Sequence, residues 1–419
     1  MKTEERSATA VVTPPRSSRP APAPVATEAG AASPWLSVVL GRLIKFFSSL
    51  RLTIVCLGFG MVLIFVGTLA QVDLGLFKAQ NEFFRSFLVF WGPKTASWKI
   101  PVLPGGYLVG GVLLVNLIAA HVTRFQFTRK KIGIWLTHVG LILLLLGQLL
   151  TDMLARESLL HLREGEAKNY SEIERQAELA VIDTTDADTD KVVAIPQRIL
   201  AHQKDIEHPE LPFKIRIKEF LANSRLERRN SETLAPPAAS RGFGAMVTVK
   251  ELPHVTSMDF RDVPSAVIEL ITADGSIGTW LVSEHRDEPQ EFSWKNRTYQ
   301  LVLRPTRLYK PYSLELLKFR NDLYAGTDIP KNYSSRVVLH RPDTEEKREI
   351  LIYMNNPLRY AGETYYQSGF DPDNHGTILQ VVRNPSWLTP YLSCILVATG
   401  LIVQFMTHLI GFVLKRRTA

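Results

Sequence analysis

The stretch KKIGIWLTHVGLILLLLGQ, Lys130 to Gln148, sets two lysines against a long apolar run broken by one histidine, His138. Residues 132–151 carry no acidic side chain, no lysine and no arginine. A helix of ~20 such residues crosses a hydrocarbon core of roughly 30 Å. Three more runs of this kind follow from the same criterion, at residues 52–70, 105–122 and 389–414. The near-zero mean hydropathy of the 419-residue chain therefore averages four transmembrane helices with a polar remainder.

Basic residues orient the spans. Arg42, Lys45 and Arg51 precede the first, Arg124, Arg129, Lys130 and Lys131 lie between the second and third, and Lys415, Arg416 and Arg417 follow the fourth. The positive-inside rule puts all three clusters, and both termini, on the cytoplasmic side. Residues 152–387 are then expected to be extracytoplasmic. This topology accounts for much of the net charge of +8 without nucleic-acid binding.

Residues 1–34, rich in Ala, Pro, Ser and Thr, are expected to be a disordered cytoplasmic tail. WLSVVLGRLIKFFSSL at 35–50 has the period of an interfacial amphipathic helix. NEFFRSFLVFW at 81–91 is expected to lie on the opposite membrane face in the same way. Cys56 and Cys394 both fall in spans and are expected to pack as small apolar residues. With no CxxC and no CxxCH, the chain offers neither a thiol relay nor a c-type haem attachment site.

Residues 152–387 change character. Short β-branched or alternating stretches at 177–183, 213–219, 245–251, 265–272, 299–304, 313–319, 336–340, 349–353 and 377–382 are separated by Pro, Gly, Asn and Asp. They predict an all-β, sandwich-like domain, with a possible division near residues 225–241. Its histidines, His161, His202, His208, His254, His285, His340 and His375, are scattered, and HExxH, GxSxG, P-loop and dinucleotide motifs are absent from the sequence.

Histidines at membrane depth are a different matter, because an ionisable side chain there is costly and marks function. His138 lies seven residues past Lys131, about 10 Å of helix rise. His408 lies seven before Lys415, and His121 three before Arg124, within reach of the headgroups. Imidazole at such a depth suits either haem iron or a hydrogen bond to a neighbouring helix. At 100° per residue, Gly133, Thr137, Gly140 and Gly147 share one stripe, and His138 sits off it with Ile134, Trp135 and Leu145. The glycine face is expected to pack within the protein and the histidine face to look elsewhere.

SLRLTIVCLGFGMVLIFVGTLAQ at 49–71, GIWLTHVGLILLLLG at 133–147, and NNPLRYAGETYYQSGFDPD at 355–373 running into VVRNPSWLTPYLSCILVATGLIVQF at 381–405 resemble the ResB-like (CcsB) family of cytochrome c biogenesis proteins. The resemblance covers both membrane ends and the last third of the β domain. It implies system II cytochrome c maturation at the bacterial cytoplasmic membrane. There the chain would work with a CcsA-type haem-handling partner to move or hold haem b and present it to the CxxCH of apocytochrome c. The seven tryptophans form no WWD cluster, so the tryptophan-rich half would belong to that partner. The chain would be an accessory subunit of a cytochrome c synthase (haem lyase), with no catalytic residue of its own. The resemblance makes His138 a haem ligand. No motif covers His408 or His121. TYYQSGFDPD at 364–373 would mark a structured edge near the membrane, where Tyr365, Tyr366 and Gln367 either pack or meet a partner. Two other classes remain: a β-domain scaffold or apocytochrome chaperone that binds no haem, and an unrelated envelope binding protein or transporter subunit. A neighbouring CcsA-type gene separates the first reading from the last.

Overall fold

The protein is described by a computed structural model covering residues 34–93, 98–124, 128–202, 204–229, 236–256, 260–327 and 329–418. The expected N-terminal tail lies outside these residues, apart from Pro34. Helix α1 (Pro34–Phe47) belongs to a different compact unit from residues 48–419 and carries most of the expected amphipathic stretch. It stops short of residue 50.

Among the described residues, four helices are long and apolar enough to cross a membrane. They are α2 (Leu50–Leu74), then, beyond the single turn α3 (Leu76–Ala79), α4 (Gly106–Arg124), α5 (Ile132–Leu154) and, at the far end of the chain, α7 (Thr389–Thr418). The turn α6 (Gln197–Leu200) belongs to the β domain. The helices outrun the apolar runs mainly at their polar ends.

Helices α5 and α7 pack antiparallel along the stripe of small residues. A Cβ on Gly133 would stand 2.6 Å from the Gln404 amide nitrogen and 2.7 Å from the Gly400 carbonyl. One on Gly140 would meet Val397, one on Gly147 would meet Thr389, and one on Gly400 would meet Thr137. Lipid gives no hydrophobic drive for helix association, so such close approach, with its dense van der Waals contact, holds the pair. The glycine face thus packs as its periodicity predicts. The α2–α4 contact is polar instead. Asn116 is buried, with Thr53 Oγ1 2.6 Å from its Oδ1, and it donates through Nδ2 to the Ser49 carbonyl at 3.1 Å. Of the two cysteines only Cys56 packs inside, and Cys394 faces outward from α7.

At the ends away from the basic clusters, Tyr107 of α4 donates to Asp152 of α5, which also pairs with Arg85 at 3.0 Å. Thr151 and Ser386 hydroxyls meet at 2.9 Å. The segment 81–91 is not one amphipathic helix. Residues 80–84 form a π turn, and β1 (Leu88–Trp91) pairs with β2 (Ile100–Pro104). Phe83 and Val89 bury against Leu63, so part of this aromatic cluster is internal packing.

One residue, Ala155, separates α5 from β3 (Arg156–Arg163). The β domain continues with β4 (Ala167–Asp183), β5 (Lys191–Pro196), β6 (Lys214–Leu221), β7 (Ser224–Arg228) and β8 (Val247–Glu251). Next come β9 (Ser265–Thr272), β10 (Gly275–Ser283), β11 (Gln290–Trp294), β12 (Arg297–Leu323) and β13 (Pro330–Arg341). It closes with β14 (Glu346–Tyr353), β15 (Leu358–Tyr360), β16 (Glu363–Phe370) and β17 (Gly376–Arg383). All nine expected stretches overlap strands, but 299–304 and 313–319 are parts of one strand, β12.

A ten-stranded sheet runs β14-β13-β12-β4-β3-β17-β16-β15, with β11 on β12 and β5 on β4. The long strands β4 and β12 serve two cores. In the first lobe, their paired segments 177–183 and 299–305 join β5 and β11 and pack against the sheet β10-β9-β6 through Leu179, Ile215, Ile268 and Tyr299. That lobe is the expected sandwich. The second lobe is instead a single curled sheet whose β14 edge returns to β15 and β16, enclosing Leu162, Leu316, Leu339 and Tyr365. No division falls at 225–241, because β7 and β8 pair across that interval.

The change of lobe occurs at bulges. Pairing of β12 with β4 skips from Pro305↔Ala177 to Thr306↔Ile173, and from Tyr309↔Tyr170 to Leu314↔Lys168. Bulges bend a strand and re-aim side chains. Here they turn Lys310 and Tyr312 toward β16. Lys310 Nζ reaches Glu363 at 2.8 Å, and Tyr312 and Tyr365 both donate to Glu363 Oε2, at 2.8 and 2.9 Å. Burial pushes the Glu363 carboxyl up, but the ammonium and the two phenols outweigh it and hold the group below its ordinary value.

Two predictions follow from this packing. Gly133→Ala forces backbone apart and should cost about 1–3 kcal/mol, read as a lowered thermal midpoint. Gly58→Ala, whose Cβ meets nothing within 4 Å, should leave that midpoint unchanged or raise it. The depressed Glu363 pKa contributes stability above the unfolded value of about 4.3 that is lost as pH falls through the lower folded value. Lys310→Ala leaves the half-buried Glu363 carboxylate with only its two phenol donors and should cost about 1–3 kcal/mol at neutral pH. An acid titration of tryptophan fluorescence should then show its unfolding shifted to higher pH than in the parent chain.

Candidate functional site

His138 leaves α5 on the side away from the α7 contact. Its Nδ1 lies 2.8 Å from the Ile134 carbonyl one turn back. A carbonyl only accepts, so Nδ1 carries a proton, and in the neutral ring Nε2 is the nitrogen whose lone pair a metal could use. That ring stacks on His121 of α4, with centroids 5.8 Å apart and planes 29° apart. The Trp135 ring flanks His121 at 6.5 Å. Both imidazoles are partly buried.

Helical counting explains the meeting. His121 lies fourteen residues from Tyr107, and His138 fourteen from Asp152, the hydrogen-bonded pair at the far ends of α4 and α5. Both therefore stand about 21 Å from that tie, toward the basic ends. Read alone, His121 belongs to the headgroup region. Read with its neighbour, it shares the level of His138.

His408 takes no part in the pair. It is exposed on α7, and its Nε2 accepts from Gln404 Nε2 at 2.7 Å. Four histidines of the β domain can be placed with their partners. His161 pairs with Asp371 at 2.9 Å, His254 with Asp262 at 2.7 Å and His375 with Glu164 at 3.2 Å. His285 Nε2 meets the Ser224 carbonyl at 2.8 Å.

TYYQSGFDPD resolves residue by residue. Tyr365 is fully buried, with its hydroxyl 2.8 Å from that of Tyr312. Gln367 donates to Thr377 Oγ1 at 2.8 Å and accepts from Ser335 Oγ at 2.6 Å. Only Tyr366 of the three is exposed. Packing, rather than a contact surface, accounts for Tyr365 and Gln367.

The donor set of the membrane pair fits a haem iron. It offers two neutral-capable imidazoles, one with its tautomer set by a backbone carbonyl, among the apolar side chains of α4 and α5.

Comparison with known proteins bears on the same region. The chain is similar to Protein NrfI of Wolinella succinogenes, with 26% identity over 297 residues. The match takes in 70% of this chain but 29% of NrfI, so this chain spans under a third of that relative. A family model, the ResB-like family, matches residues 127–378. That match contains His138, α5 and all of the β domain up to β17, while His121 and His408 lie outside it. It covers more than half of the chain, which therefore belongs to the ResB-like family.

Proposed function

We propose that this protein is a membrane component of cytochrome c biogenesis that holds haem between α4 and α5 on its way to apocytochrome c. Family membership supports the role in cytochrome c biogenesis. The observation that carries the haem reading is the His121–His138 pair, formed on the helix face that the glycine packing leaves open.

In this reading His138 is the principal ligand through Nε2, and the Ile134 carbonyl orients it. His121 approaches from α4 as the second imidazole. Haem is the cargo, and it supplies the vinyl groups that the apocytochrome thiols attack. The residues of this chain bind and orient. None is asked to transfer a proton or form a covalent bond.

The basic ends of α4, α5 and α7 face the cytoplasm by the positive-inside rule. The histidine pair then lies in the cytoplasmic half of the bacterial inner membrane, where haem would load. The β domain stands outside, where a CcsA-type partner and apocytochrome c would meet it. The partner covers the outward face of α4 and α5 and contributes the tryptophan-rich surface that this chain lacks. His408, already engaged by Gln404, has no role in ligation.

Visible spectroscopy of the protein purified with its CcsA-type partner tests the assignment. The parent complex should show a Soret band, His138→Ala should lose it, His121→Ala should weaken or shift it, and His408→Ala should keep it. Wild-type Soret intensity and wild-type cytochrome c yield in His138→Ala would sink the assignment.

A further inference from the structure

A cleft of about 480 Å³ opens where β4 and β12 bend between the two lobes. Volumes of this order hold small ligands or a few residues of a peptide. Part of its wall is apolar, including Leu159, Val302, Pro305 and Ile378. The rest is charged, with Lys168, Arg261, Arg304 and Arg307 set among Glu172, Glu174, Glu284 and Asp287. Two of the cations are paired by carboxylates off the wall, Glu166 and Glu178.

Each cation on the wall already has a carboxylate. Arg304 pairs with Glu178 at 3.1 Å, Arg307 with Glu172 at 2.9 Å, Lys168 with Glu166 at 2.8 Å, and Arg261 with Glu284 Oε2. Carboxylates are left over. Among the described residues, Glu174 and Asp287 make no ion pair, yet both line the cleft. Glu284 is the decisive group. Its side chain is 1% exposed, and its second oxygen, Oε1, is buried without a hydrogen-bond partner.

An unsatisfied buried carboxylate oxygen is costly and is normally paired. Burial pushes the Glu284 carboxyl above the usual carboxylate range despite Arg261, and the negative Glu172 adds to that push. A cation entering between them would relieve both effects. The bulge at residues 174–176 brings Glu174 to the same wall, which Glu284 shares with a smaller cavity of about 130 Å³ beside Phe77.

We propose that the inter-lobe cleft binds an alkylammonium or guanidinium group on an apolar stem, with Glu284 as its anchor and Glu174 and Asp287 at its mouth. A lysine or arginine side chain of an extended polypeptide has that chemistry, and so has a free polyamine. The site lies in the β domain and stands or falls independently of haem.

Calorimetric titration of the full chain in detergent tests it with three probes. These are an acetylated, amidated hexapeptide with a central Arg-Lys, the same peptide with Gln-Gln, and spermidine. The Arg-Lys peptide should bind and the Gln-Gln peptide should not. Binding should weaken about tenfold or more in Glu284→Gln, the order expected for a lost charge-assisted contact. Glu174→Gln with Asp287→Asn alters only exposed side chains and should weaken binding in the same direction, even if Glu284→Gln lowers the thermal midpoint. Spermidine binding as tightly as the peptide identifies a free amine as the source, and tighter peptide binding identifies a polypeptide. Equal binding of the two peptides, no binding of either peptide or spermidine, or an unchanged affinity in the double variant would overturn the proposal.

Discussion

Backbone contact between α5 and α7 is the constraint on which the rest depends. Gly133 and Gly400 bring the two helices so close that neither position has room for a methyl group. The same helices run into β3 and β17, which pair from Arg156↔Arg383 to Arg163↔Gly376. The helix pair and the strand pair are thus two stretches of one antiparallel ladder, continued across the polar junction of Thr151, Asn384 and Ser386. Setting the helix register sets the strand register, and with it the start of the ten-stranded sheet.

Committing one face of α5 to α7 leaves the other to α4, and that is where the histidines meet. The division of labour is economical in chemical terms. Small residues make the dry contact with α7, and the two imidazoles meet at the contact with α4. Asn116 holds α4 to α2 by hydrogen bonds that have no water competing for them, so both neighbours of the histidine pair are held by specific contacts.

How much of this could be read from residues alone depends on the range of the interaction. The glycine stripe was legible because one helix's period contains it. The His121–His138 contact was not, because periodicity treats each helix alone and the meeting depends on how two helices are levelled. Proline hid the longest strand. Pro305 and Pro311 break the pattern of β12, yet Pro305 sits at one register shift of the β4 pairing and Pro311 inside the other, where a lost N–H costs little. The strand at Glu363–Phe370 was missed because Glu363, Gln367 and Gly369 serve a buried polar network rather than an alternating surface. The anchor carboxylate of the inter-lobe cleft left no local signal at all, since its burial comes from segments more than a hundred residues apart.

The one-residue link at Ala155 has a mechanical consequence. Its backbone is extended (φ −70°, ψ 140°), its amide still bonds to the Thr151 carbonyl, and β3 begins at once. There is no slack for the β domain to swing on. A small twist of α5 about α7 would be carried, as through a crankshaft, into the whole sheet and out to the far lobe. The sheet is therefore held at a set position relative to the ends of α5 and α7.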